Sequence, residues 1–241
     1  MKVIAHRGAS GEYPENSLLA FEQAIKQNCH AIELDAQLHQ SGVFILLHDK
    51  YVDQVTNAQG HFNQFSLAEL QQLELGNGET IPTLHQAMKL IAGRCPVNIE
   101  LKSATNTAKE MLIIVDKLKQ LLNDLVTAKL FSWQQFIISS FNHPLLSICQ
   151  QNIPKAKIAT LIACCPQDYA NQATLLSAYS INPSIDCLNQ ELVNDAHNRG
   201  LEVWVYTVDR PEDISKCLAF GVDAIFTNHP KVTQQYLNQA N

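Results

Sequence analysis

The sequence predicts an α/β chain closed into a single (β/α)8 barrel, on three observations. Eight short apolar runs read as strands, most are separated by stretches with helical periodicity, and the length of 241 residues suits the ~250 of one such barrel. The strand candidates are Lys2–Ala5, Ala31–Asp35, Val97–Leu101, Phe136–Ser139, Ile158–Ile162, Tyr179–Asn182, Glu202–Thr207 and Ala224–Thr227. Apolar positions three and four apart mark helices, for example over Thr107–Leu122, Gln190–Arg199 and Pro211–Phe220. Pro211 and Pro230 sit where a first helical turn tolerates proline, and Gly200 and Gly221 where helices end. Strand–helix alternation implies a parallel sheet, and eight units imply its closure. No linker, repeat or low-complexity segment interrupts the pattern, so residues 1–241 read as one domain.

A ninth apolar run, Val43–Leu47, follows the 31–35 strand too closely for a parallel crossover, which needs about a dozen residues or more. It is expected to return antiparallel through a turn near Gln40-Ser41-Gly42. A two-residue loop at Ser41-Gly42 would set His48 opposite Asp35. Residues 50–78 then lose strong periodicity and read as a small lobe inserted on the barrel rim.

Composition excludes several function classes. Apolar residues make up 46% and charged residues 17%, a globular balance. The formal net charge of −6 leaves no basic stripe for nucleic-acid phosphates. No apolar run approaches the ~18 residues of a membrane span. The opening Met1–His6 reads as a strand rather than an export signal, so the expected setting is the cytoplasm. Seven cysteines without a CxxC spacing fit neither a disulfide framework nor a zinc knuckle and are expected to be small buried apolar residues, with adjacent Cys164-Cys165 the one candidate redox pair.

Four polar clusters fall at the C-terminal ends of strand candidates, where barrel active sites are built. These are His6-Arg7-Gly8, Glu33-Leu34-Asp35, His48-Asp49 and Glu100-Leu101-Lys102. Residues two apart on a strand share a face, so Glu33 and Asp35 project together, as do Glu100 and Lys102. Three carboxylates suit a hard divalent cation, Mg2+ or Ca2+, better than Zn2+. Arg7 and Lys102 can grip a phosphate, and His6 and His48 can take and give protons. That inventory fits metal-assisted cleavage of a phosphodiester.

The residues resemble those of the glycerophosphodiester phosphodiesterase family. The likeness runs in order through His6-Arg7-Gly8-Ala9-Ser10-Gly11, Pro14-Glu15-Asn16-Ser17, Glu33-Leu34-Asp35, His48-Asp49 and Ile81-Pro82-Thr83-Leu84. It continues through Asn98-Ile99-Glu100-Leu101-Lys102, Ser140-Phe141, Trp204-Val205-Tyr206-Thr207 and Thr227-Asn228-His229-Pro230. The resemblance implies a TIM-barrel hydrolase of glycerophosphodiesters such as glycerophosphocholine or glycerophosphoethanolamine, releasing sn-glycerol 3-phosphate and an alcohol. It implies His6 and His48 as the acid–base pair and Glu33, Asp35 and Glu100 as ligands of one divalent cation. Arg7 and Lys102 would contact phosphate, Trp204 would face the substrate, and Glu15 and Asn16 would support the first loop.

One segment departs from the family pattern. An Asp-Arg-Thr-Thr-Asn-like stretch usually follows the His-Asp pair, and here it is Asp53-Gln54-Val55-Thr56-Asn57. The lost positive charge bears on how the insertion anchors to the rim or on which headgroup it admits, rather than on the reaction. The alternative within enzymes is a phospholipase C/D-like barrel acting on intact lipids. The polar insertion (Asn57, Gln59, His61, Asn63, Gln64) disfavours it. A barrel kept only as a binding module is disfavoured by the intact set of chemical groups.

Overall fold

The computed structural model describes residues 1–103 and 107–240. Eight parallel strands close on themselves: β1 (Lys2–Ala5), β2 (Ala31–Leu38), β6 (Val97–Leu101), β7 (Phe136–Ser140), β8 (Lys157–Ile162), β9 (Ser180–Pro183), β10 (Glu202–Val205) and β11 (Ala224–Thr227). They are hydrogen-bonded in the order β1-β11-β10-β9-β8-β7-β6-β2, and β1 pairs with β2 to complete the barrel. The three remaining strands, β3 (Phe44–Leu46), β4 (Glu74–Gly76) and β5 (Glu79–Thr80), lie outside that ring.

Helices return the chain between barrel strands: α1 (Leu18–Lys26), α3 (Leu84–Ile91), α4 (Ala108–Thr127), α5 (His143–Asn152), α6 (Asn171–Leu175), α7 (Gln190–Asn198) and α8 (Pro211–Phe220); α9 (Pro230–Ala240) follows the last strand, and α2 (Leu67–Leu70) belongs to the insertion. Most starts are capped as their sequences dictate. Ser17, Thr83, Thr107, Asn142 and Asn189 each accept a bond from a first-turn amide, and Thr83 adds a reciprocal capping box with Gln86. Pro211 opens α8, and Gly221 ends it at φ 75°.

The apolar core is layered. Two large clusters fill the space between strands and helices, and a smaller one occupies the barrel interior: Ile4, Ala31, Ile137, Ala159, Trp204, Ala224 and Phe226. A fourth cluster gives the rim lobe its own core, with Ile45, Leu47 and Val52 against Phe62, Leu70 and Ile81. The lobe therefore reaches Ile81, slightly past the expected boundary at 78.

The hairpin forms as expected, with a different register. Ala36 faces Leu46 and Leu38 faces Phe44, so Asp35 lies opposite Leu47 and not opposite His48. The loop has three residues, closed by His39 N–H to Val43 O at 3.0 Å and Gly42 N–H to His39 O at 2.8 Å. Gly42 supplies the positive φ of 81° that this longer loop requires. The extra pairing also prolongs β2 beyond Asp35, to Leu38.

Replacing Gly42 by Ala should cost ~1–2 kcal/mol, since an L side chain strains at this φ. Urea unfolding of Gly42→Ala checks this, and a wild-type midpoint would show that the loop does not need glycine.

Candidate active site

Register builds the central cluster. Glu33 and Asp35 are two apart on β2, and Asp35 is the direct neighbour of Glu100 on β6. One oxygen from each of the three carboxylates lies within 4.8 Å of the others. All three residues are buried, Asp35 to 1% exposure.

The loop after β1 wraps this cluster. Arg7 takes a left-handed φ of 55°, and its backbone N–H donates to Glu33 Oε2 at 2.8 Å. Its Nη1 reaches Glu15 at 2.9 and 3.0 Å, and its Nε stands 3.1 Å from Asp35 Oδ2. Gly8 has to be glycine, because a Cβ there would come within 2.7 Å of the Ala20 backbone on α1. Asn16 is buried and clamps Asp35 twice: its Nδ2 donates to Asp35 Oδ2 at 2.9 Å, and its Oδ1 accepts from Asp35 N–H at 3.0 Å.

Two imidazoles flank the carboxylates. Nδ1 of His6 bonds Asn228 Oδ1 at 2.8 Å, and Nδ1 of His48 bonds Asp49 Oδ1 at 2.9 Å. Burial, then the charge of Arg7, lowers the His6 pKa to about 4 against a weaker opposing effect of Asn228, so the ring is neutral at neutral pH. Both histidines line an inner cavity of about 180 Å3, together with Arg7, Glu33, Glu100 and Lys102. Next to it is a wider cleft of about 690 Å3 lined in part by Tyr51, Asp53 and Gln54 of the insertion, and the two share His48, Glu100, Lys102 and Phe141.

A family model for the glycerophosphoryl diester phosphodiesterase family matches residues 6–232. The chain belongs to this family. It is 35% identical over 237 residues to a glycerophosphodiester phosphodiesterase of Caldanaerobacter subterraneus subsp. tengcongensis, covering 95% of this chain and 94% of that one. It is 30% identical to a Bacillus subtilis glycerophosphodiester phosphodiesterase, covering 94% of this chain and 83% of that one. Among solved structures it resembles an Oleispira antarctica phosphodiesterase in complex with its product sn-glycerol-3-phosphate, with a TM-score of 0.89, 26% identity, and coverage of 99% and 97%. As a member of the family the protein is a phosphodiesterase, and its barrel is the TIM barrel of its structural neighbours.

Seven of the eight site residues expected from the phosphodiesterase sequence converge on the barrel mouth. Trp204 does not. It is 3% exposed and belongs to the apolar interior, its indole N–H donating to Glu202 Oε2 at 2.7 Å while Lys2 lies 5.8 Å from the ring. The residue two further along, Tyr206, lines the cavity instead, and it meets Phe141 edge-on at 5.9 Å. Both face inward by the two-residue period, and only the later one lies past the end of β10 at Val205.

Sequence reasoning also missed Gln37. It continues the inward face of Glu33 and Asp35, and its Nε2 donates to the carbonyls of Leu47 and Asp49, each at 2.8 Å, fixing the backbone on both sides of His48. Of the cysteines, 29, 95, 149 and 217 are buried as expected, whereas Cys164 and Cys165 are exposed and Cys187 half-buried; all seven are free thiols.

The acidic cluster suits a divalent cation. Buried Glu33 Oε1 has no hydrogen-bond partner among the described residues. Asp35 Oδ1 and Glu100 Oε1 make no well-aligned hydrogen bond and are met by the Lys102 ammonium at 3.2 and 2.6 Å. Oxygens gathered without enough donors are what a hard cation completes. No other group of three His, Cys, Asp or Glu side chains converges in this way among the described residues.

The titration behaviour agrees. Burial, then repulsion from Asp35 and Glu100, raises the Glu33 pKa well above the usual carboxylate range. Burial and Asp35 push Glu100 up to about 7. Burial would raise Asp35 too, but Lys102, Arg7, His48 and the Asn16 bond together hold it below its ordinary value.

A carboxyl whose pKa rises on folding stabilises the fold below its unfolded value and loses that contribution as pH rises through its folded value. For Glu100 the loss falls between pH 4.5 and about 7. In chelator-treated protein, urea unfolding should show the wild type losing stability relative to Glu100→Gln across that window, and a saturating divalent cation should reverse the difference. Identical pH dependence in the two proteins would refute the perturbation.

Proposed function

We propose that the protein hydrolyses glycerophosphodiesters such as glycerophosphocholine and glycerophosphoethanolamine to sn-glycerol 3-phosphate and the free alcohol, using one divalent cation, Mg2+ or Ca2+, on Glu33, Asp35 and Glu100. The observation that carries this is the lining of the inner cavity, where two imidazoles, two cationic side chains and the carboxylate cluster meet in about 180 Å3. The Oleispira antarctica relative, with sn-glycerol-3-phosphate bound, supports the choice of product.

When bound, the cation would neutralise phosphate oxygens as charge builds in the transition state. Arg7 and Lys102 line the same cavity and place positive charge toward the phosphate. His6 and His48 divide the proton transfers. His48 stands where the inner cavity opens into the wider cleft, so it protonates the departing alcohol, whose headgroup occupies the space beside Tyr51, Asp53, Gln54 and Phe141. His6, neutral and on the inner side, takes the proton of the attacking hydroxyl. Gln54 faces the headgroup here, so its departure from the family pattern acts on specificity. Seven free cysteines, two of them exposed, suit a reducing compartment such as the cytoplasm.

Release of sn-glycerol 3-phosphate from both substrates should stop on chelation and return with Mg2+ or Ca2+. His6→Ala and His48→Ala should each lower kcat by about 10²-fold or more in folded protein. Release that persists in chelator, or near-wild-type rates in either variant, would contradict the proposal.

A further inference from the structure

The C-terminal ends of β10 and β11 hold a polar chain that ends on His6. Asp209, shortly after β10, accepts from Thr227 Oγ1 at 2.8 Å, from the Asn228 backbone N–H at 2.8 Å and from Asn228 Nδ2 at 2.6 Å. A carboxylate is an acceptor only, so the Asn228 amide has to turn its nitrogen toward Asp209 and its oxygen the other way. That oxygen, Oδ1, lies 2.8 Å from His6 Nδ1 and 2.8 Å from the Ser10 hydroxyl, which is also 2.7 Å from the His6 carbonyl. An amide oxygen accepts and cannot donate, so His6 Nδ1 must carry the ring proton. The lone pair of the neutral ring is then on Nε2.

We infer that Asp209 and Asn228 are positioning residues that lock His6 in its Nδ1–H tautomer and so keep its Nε2 as a proton acceptor. The orientation originates at Asp209, and neither residue need touch the substrate. The inference rests on His6 as the base of the proposed reaction, but its structural content, the tautomer, can be measured without turnover.

Two substitutions exploit the logic of the amide. In Asp209→Asn, the remaining side-chain oxygen still serves Thr227 and the Asn228 backbone, but the new NH2 faces the Asn228 NH2. Relief of that donor–donor contact requires the Asn228 amide to turn over. Its NH2 then faces His6 Nδ1, and the ring proton moves to Nε2. The Ser10 hydroxyl can remain on the His6 carbonyl and accept from the turned amide. In the exchange Asp209→Asn with Asn228→Asp, the NH2 at 209 donates to the carboxylate at 228, whose other oxygen accepts from His6 Nδ1–H again. The double variant therefore restores the wild-type tautomer, with the donor and acceptor of the 209–228 hydrogen bond exchanged.

Long-range 1H–15N correlation spectra of histidine-labelled, chelator-treated protein read the tautomer directly, with His6→Ala identifying the His6 signals. The wild type should show the Nδ1–H form, Asp209→Asn the Nε2–H form, and the double variant Nδ1–H again. Asp209→Asn should also lose about 10²-fold or more in kcat with little change in KM, as a base held in the wrong tautomer does, and the exchange should recover most of the loss. An Nε2–H ring in the wild type, or an unchanged Nδ1–H ring in folded Asp209→Asn, overturns the inference. If Asp209→Asn does not fold, the wild-type and double-variant spectra still decide it. The predicted tautomers combined with full activity of His6→Ala would sink the base assignment and leave the positioning intact.

Discussion

Three carboxylates share one small buried volume, and the surrounding structure is arranged to make that tolerable. Burial penalises their ionisation and like charges repel, which is why the pKa values of Glu33 and Glu100 are raised. The parallel register of β2 and β6 leaves no way to separate Asp35 from Glu100. Compensation comes from the Lys102 ammonium, the Arg7 guanidinium, the Asn16 amide and the Arg7 backbone N–H. Even so, Glu33 Oε1 is left without a donor among the described residues. The left-handed turn at Arg7 and the glycine that follows are consequences of the same demand. They bring a peptide N–H onto Glu33 while α1 packs closely behind.

Around this centre the two histidines are held by different kinds of scaffold. His6 leaves a barrel strand and its ring is held by Asn228, 222 residues away in sequence, on the loop after β11. His48 lies beyond a hairpin strand outside the ring and depends on Gln37 for the course of its backbone. The inner part of the site is therefore built by the barrel mouth, whereas the side facing the wider cleft is shaped by an insertion with its own small core. Such a division lets the lobe vary its side chains, as at Gln54, without disturbing the carboxylates.

The barrel was largely legible because its signals are local. Strand periodicity, caps and the two-residue spacing of Glu33 with Asp35 and Glu100 with Lys102 depend on near neighbours in sequence. The hairpin register was not legible to the residue: Ser41-Gly42 suits a two-residue turn, and only the hydrogen bonds across His39–Val43 reveal a loop one residue longer. Trp204 and Tyr206 share a face, and sequence alone does not say which of them reaches the mouth. The links from Gln37 to the backbone around His48, from Asn16 to Asp35 and from Asp209 through Asn228 to His6 are side-chain hydrogen bonds that span loops. Composition and periodicity carry no signal for such pairings.

The central claim is that these three carboxylates together form one cation site. Isothermal titration of Mg2+ or Ca2+ into chelator-treated protein, side by side with Asp35→Asn, tests it most directly. The account predicts saturable binding of one ion per chain in the wild type and its loss in folded Asp35→Asn. Absence of binding in the wild type, or equal binding in the variant, would contradict it.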